Sequence, residues 1–163
     1  MGKIELVIET EKVRIYSPKH DGECLNEFNR FMQANKEQKQ PQLKLSFDAI
    51  IAAIKKITEC GARENLFRPE GGRVKAIPLV ISFPFRVNRK IGKMRLYCLR
   101  LSDEIMIIGN GGVTTASKWE KDLIHADYVK ELRQIDSLIR KAQKLKRSSS
   151  NETTINIIES LTI

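Results

Sequence analysis

Arg95 and Tyr97 stand two residues apart in the run MRLYCLRL. In an extended strand that spacing puts both side chains on one face and Leu96 and Cys98 on the other. A guanidinium is a fork of donors suited to phosphate, and an aromatic ring is a surface on which a base can stack. If Leu96 and Cys98 face a helical layer, Arg95 and Tyr97 are presented on an open sheet face. The competing readings are a solvent-facing strand arginine and a cross-strand sheet aromatic. Arg100 has the opposite parity and is expected at the rim. Arg86, Arg89 and Lys90 share a stretch with little to bury, read as an exposed basic loop. Trp119, the single tryptophan, stacks on a base or caps the core. Glu70, in the loop RPEGG, is a general base by type, although a solvated loop acid is the plainer reading. The run Gly109-Asn110-Gly111-Gly112 lacks the Lys-Ser/Thr of a phosphate-binding P-loop and reads as a turn that stops a strand.

The other chemistry-bearing types are sparse. Of two histidines, neither falls in the strand-rich region, so a histidine-pair mechanism is not expected. Cys24, Cys60 and Cys98 are odd in number, far apart and set among apolar neighbours, which suggests buried free thiols in a reducing compartment. His20 and Cys24 have a metal-compatible spacing but no second pair. No cofactor or metal is expected. The formal net charge of +9 on 163 residues biases partners toward polyanions: nucleic acid, an acidic protein or a membrane surface. No apolar run approaches the ~20 residues that span a bilayer. The opening MGKIELVIET alternates with glutamates, unlike a signal peptide. The expectation is a cytoplasmic protein.

These residues must be positioned by a core centred on residues 94–113. That stretch reads as a strand over 94–101, a turn at Ser102-Asp103-Glu104 and a second strand over 105–108. The second strand's unbroken apolar run suits coverage on both faces. Upstream, Ile4, Leu6 and Ile8 alternate with glutamates in a half-buried strand, and a second short strand ends at Pro18. Leu25, Phe28 and Met32, with Phe31 beside them, share a helical stripe beginning near Glu23. A second helix carries Phe47, Ile50, Ile51, Ile54 and Ile57 as its apolar face, with Ser46 as N-cap and Gly61 as stop. The two form an antiparallel pair. Pro78 interrupts a β-rich run over 73–83. A long helix follows, capped by Asp127, with a basic end over 140–147 that clamps nucleic acid or an acidic protein, or is simply solvated. The expectation is one α+β domain over 1–147, with an antiparallel sheet packed on an α-hairpin and a C-terminal helix, and a flexible tail over 148–163 whose apolar, β-branched end TINIIESLTI adds a strand, covers an exposed patch or docks a partner.

The strand Met94-Arg95-Leu96-Tyr97, its polar turn and the aliphatic return strand resemble the last two strands of the RelE/ParE/HigB toxin superfamily. Leu66-Phe67-Arg68 is similar to the stretch that precedes the sheet in its HigB-like, phage-related branch. The similarity runs from the first strand to about Trp119. It implies a RelE-like fold and a toxin of a toxin–antitoxin system acting as a ribosome-dependent mRNA endoribonuclease. Its implied partners are mRNA, the ribosome and an antitoxin protein, a helix-turn-helix protein being one form. Arg95 matches the arginine of the penultimate strand and would bind the scissile phosphate. Lys75 matches a lysine of the preceding strand, and Trp119 falls near a tyrosine that follows the last strand. Arg68, Lys75 and Lys118 would assist in catalysis. Tyr97, Trp119, Arg86, Arg89, Lys90 and Lys121 would bind nucleic acid. One departure stands out: where active ribonucleases of the family carry a basic pair after the last strand, this chain has Gly112-Val113, with Lys118 and Lys121 only later. The alternative is a non-catalytic binding protein on the same fold, an inhibitor of a protein target or an inactive mobile-element relative.

Overall fold

The structure is a computed structural model that describes residues 2–163. It is an α+β architecture: a six-stranded sheet carries helices on both faces. The strands are β1 (Lys3–Glu9), β2 (Arg14–Lys19), β3 (Arg68–Pro69), β4 (Val74–Ile77), β5 (Lys93–Ser102) and β6 (Ile105–Thr114). The helices are α1 (Glu27–Asn35), α2 (Pro41–Cys60), α3 (Leu123–Lys146) and α4 (Asn151–Ser160). The spatial order is β1-β2-β6-β5-β4-β3. All pairs are antiparallel except β2 and β6, which run parallel, Ile15 opposite Met106. The sheet is therefore mixed, not purely antiparallel.

β5 and β6 sit in the middle and sort the core by parity. Met94, Leu96, Cys98, Met106 and Ile108 pack with Phe31, Phe47, Ile50 and Ile57 of α1 and α2. Tyr97, Leu99, Ile105 and Ile107 pack with Val129, Leu132 and Ile135 of α3 and Ile157 and Ile158 of α4. The expected apolar backing of Leu96 and Cys98 is present, but the opposite face is covered rather than open. The stretch expected as a flexible tail supplies part of that cover. Ser150 caps α4 through Thr153 N–H, and Thr162 bridges to Lys3 at the sheet edge. Burying two isoleucines there outweighs the β-branched composition of the segment, because propensity is a weak prior beside tertiary packing.

Several boundaries differ from expectation for identifiable reasons. β6 does not stop at the glycines. It runs through them with a bulge, Leu96 opposite Gly111 and Cys98 opposite Ile108. A Cβ on Gly111 would lie 1.9 Å from the Arg95 carbonyl oxygen, so the glycine permits close backbone approach rather than a turn. β2 continues past Pro18, because its pairing with β6 has already ended at Tyr16 and no ladder is broken there. α2 starts earlier than Ser46, at Pro41, with Gln40 accepting from Leu43 N–H; Ser46 is buried inside the helix. α1 is capped by Asn26, and α3 by Asp122 rather than Asp127. Gly61 ends α2 with a positive φ, as expected.

Candidate phosphate-binding cleft

The cleft arises where α3 stops covering β5. Asp122 accepts from the Ile124 and His125 N–H groups, and the Thr114 hydroxyl donates to it at 2.8 Å, which ties the start of α3 to the end of β6. Burial pushes the Asp122 carboxyl up, but these hydrogen bonds outweigh it and hold the group below its ordinary value. The first turn of α3 thus lays His125 over Tyr97, with Nδ1 2.8 Å from the phenol oxygen. Burial pushes the Tyr97 phenol up to about 12 and the His125 imidazole down. Two residues toward the start of β5, on the same face, Arg95 lies at the floor of a cleft; it is largely buried there, not presented on an open sheet face as its strand parity suggested.

Arg95 is 6% exposed, and its Nη1 has no hydrogen-bond partner in the protein. The cleft has a volume of about 830 Å³. Arg68, Arg89, Lys93, Arg95 and Lys121 line it together with the 114–117 segment, and no carboxylate is among the lining residues. Behind it lies Glu70, buried, with Oε1 3.2 Å from Arg68 Nε. Burial raises the Glu70 carboxyl above its ordinary value, against the pull of Arg68 and Arg95. Partial burial and the neighbouring guanidiniums of Arg95 and Arg68 lower the Lys93 ammonium. Positive charge is thus crowded around the rim, and an anion entering there would relieve it.

The walls are held by specific contacts. Gln42 of α2 donates from Nε2 to the Asn88 and Gly92 carbonyls at 2.9 and 2.6 Å and accepts from Asn88 N–H, which fixes the base of the 84–92 loop. Arg68 reaches across to the Ser117 carbonyl at 3.3 Å. Trp119 donates from Nε1 to the Glu70 carbonyl, and the Arg133 guanidinium lies 4.9 Å from its ring centroid. A second, smaller hollow of about 180 Å³ shares Arg68, Lys93 and Arg95 with the cleft and is otherwise walled by residues 78–81 and Met94.

The structure therefore brings together Arg68, Arg89, Lys121 and Arg95 of the expected residues. It separates others. Lys75 lies on the opposite sheet face, beside Glu64 at 3.8 Å, and cannot assist Arg95. Tyr97 has no exposed surface, so it offers no ring to a base; its role is to pack under α3. Lys118 is exposed and outside the lining of the cleft. Arg86 and Lys90 project from the loop beyond the cleft, around a neighbouring hollow. Trp119 has one ring face taken by Arg133. Glu70 is not a solvated loop acid, since β3 and the Trp119 contact enclose it. Lys93 was missed by sequence reasoning, although its parity with Arg95 was legible. The thiols are free, but Cys24 is exposed and only Cys98 is fully buried.

No protein-family model matches the chain, and no curated protein or solved structure is significantly similar to it. No helix among the described residues is long and apolar enough to cross a membrane.

Proposed function

We propose that the cleft holds a phosphate of RNA and that the protein is a toxin of the RelE/ParE/HigB kind, an mRNA endoribonuclease working at the ribosome in the cytoplasm under the control of an antitoxin. The observation that carries the reading is a cleft lined by five cations and no carboxylate, at whose floor the buried Arg95 guanidinium keeps a solvent-shielded Nη1 with no partner in the protein. The order of a first strand pair, two helices and a central hairpin bearing Arg95 agrees with the resemblance.

In the reaction, a ribose 2′-hydroxyl loses its proton and attacks the adjacent phosphorus. A 2′,3′-cyclic phosphate forms and the 5′-oxygen leaves with a proton. Charge accumulates on the non-bridging oxygens, and donors already fixed around that position stabilise it without reorganising. Arg95 and Lys93 supply such donors from one strand, and Arg68 supplies one from β3. Arg89 and Lys121 lie further along the cleft, where flanking phosphates would run.

The test is inducible expression in a bacterial host with primer extension on several messages. The reading expects ribosome-dependent cuts that disappear in Arg95→Ala. It also expects RNA binding by the purified protein to weaken by a factor of about 10 to 100 in that variant, as for loss of a charge-assisted hydrogen bond. Unchanged cutting by Arg95→Ala would remove the assignment. One observation favours the second reading, a non-catalytic inhibitor of a protein target. After the bulge, β6 offers Gly112 and a half-exposed Val113 where the family's active members carry cations. Growth arrest with intact messages is the outcome that selects it.

A further inference from the structure

Arg68, Lys93 and Arg95 line two adjoining hollows and are shared by both. One is the broad cationic cleft. The other is the smaller hollow, whose remaining walls are Pro78, Leu79, Val80, Ile81 and Met94. Its volume of about 180 Å³ corresponds to about six water molecules, the scale of a single planar ring system. Val80 is 76% exposed and Leu79 nearly half, which is unusual for aliphatic residues adjoining a charged site. β4 ends at Ile77, so residues 79–81 lie outside the sheet ladder, and their N–H and C=O groups are not bonded within the protein among the described residues. These groups are free to read the edge of a ligand.

A nucleotide has this division of character: a dianionic or monoanionic phosphate joined through a sugar to a flat, largely apolar ring with polar edges. We infer that the hollow is a single-base pocket, in which one nucleobase lies against Leu79, Val80 and Ile81 while its phosphate sits on the shared cations Arg68, Lys93 and Arg95. This rests on the proposed phosphate role of the cleft and adds its substrate unit: one nucleotide turned out of the strand, with its neighbours running along the cationic cleft. Apolar walls hold a base by surface contact. The unbonded backbone groups at 79–81 supply what preference there is among bases.

The test compares inorganic phosphate with the four nucleoside monophosphates by isothermal titration calorimetry, at fixed low salt, on the full chain. Wild type is expected to bind at least one monophosphate about tenfold more tightly than inorganic phosphate. Ile81→Phe and Val80→Phe, each of which fills the hollow without changing charge, are expected to bring the monophosphates within about threefold of phosphate while leaving phosphate affinity unchanged. Retained phosphate binding doubles as the control for folding. Phosphate binding with no preference for nucleotides in wild type overturns the base pocket and leaves the cleft standing. A preference that survives both substitutions overturns it as well. Loss of phosphate binding in both variants overturns the division of labour between the hollows. Absence of phosphate binding in wild type, or binding unaffected by Arg95→Ala, removes the cleft reading itself and the pocket with it.

Discussion

The two faces of β5 differ in one respect that decides the chemistry. On the α1/α2 side, Met94, Leu96 and Cys98 are all buried and apolar, and the Cys98 thiol is pushed well above its ordinary value by burial. That side is sealed along its length. On the α3 side the character changes within two residues, from Tyr97 under His125 to Arg95 in the cleft. The strand is the same; the cover is not. α3 begins at Leu123 and reaches only as far as Tyr97, so at the start of β5 Arg95 stays buried at the floor of the cleft and only Lys93 reaches its exposed rim. A cation in that position is more strongly felt than one on a free surface, because less solvent screens it.

The sharpest way to break this contrast is to disturb the backbone that both faces share. Gly111→Ala would place a methyl group 1.9 Å from the Arg95 carbonyl, a collision with backbone rather than with a movable side chain. The expected result is loss of at least about 3 kcal/mol of stability, within the range of core overpacking and local strain, or failure to fold. Chemical denaturation read by circular dichroism measures it. A variant as stable as wild type would mean that β6 does not pass β5 as closely as described.

Next in size is removal of the cover at the far end of the α3 face. Truncation after Arg147 deletes α4, and with it buried Ile157 and Ile158 and the Gln143–Thr154 hydrogen bond. Two buried isoleucines at about 1.5 to 3 kcal/mol each predict a loss of roughly 3 to 6 kcal/mol. The loss should appear in thermal melts while the sealed α1/α2 face keeps its helices. An unchanged melting temperature would restore residues 148–163 to the status of a tail.

These boundaries show what could be read in the chain and what could not. Ile105, Met106, Ile107 and Ile108 already demanded cover on both faces, and the structure provides it; an open face for Arg95 and Tyr97 conflicted with that demand. Strand parity around Arg95 was legible because a period of two needs no tertiary information. The start of α3 was not. Leu123 and Ile124 are exposed, 85% and 64%, so the amphipathic stripe that marks a helix begins a turn late and draws attention to Asp127 instead of Asp122. Ser46 misled in the same way: a good cap by type, it lies inside a helix whose start is set by Pro41. The cleft itself combines β3, β5, the 84–92 loop and the segment after β6, and that meeting depends on the β5–β6 pairing rather than on any local pattern.

A milder probe is proton uptake at the point where the cover ends. His125 is held below its ordinary value chiefly by burial, so its neutral form is the one compatible with the fold. A group whose folded value is depressed contributes stability that is complete above its unfolded value, near 6.5, and is lost as pH falls through the folded value. Unfolding free energy should therefore decline from about pH 6.5 downward, by up to roughly 1.4 kcal/mol per pH unit at the steepest, read as a falling melting temperature, and the decline should flatten in His125→Gln. RNA binding at pH 7.5 should change little in that variant, because His125 touches Tyr97 and the β6 backbone rather than the cleft. Equal pH dependence in wild type and variant would place the titration elsewhere.

The smallest expected effect distinguishes the faces most directly. Lys75 and Arg95 are both buried cations on neighbouring strands, and either could be taken for a phosphate ligand from type alone. Lys75 points toward the sealed side, with Glu64 beside it and its carbonyl 3.7 Å from the Cys98 sulfur. Lys75→Ala should leave RNA affinity within about twofold of wild type, and the pair with largely exposed Glu64 should cost no more than about 1 kcal/mol. The salt dependence of binding should keep its slope, since no phosphate contact is removed, whereas Arg95→Ala should flatten it by about one counterion. If the two variants lost affinity alike, RNA would have to approach across the β3 edge and contact both faces at once. The boundary drawn here between a sealed and a cationic side of β5 would then not be the one the ligand meets.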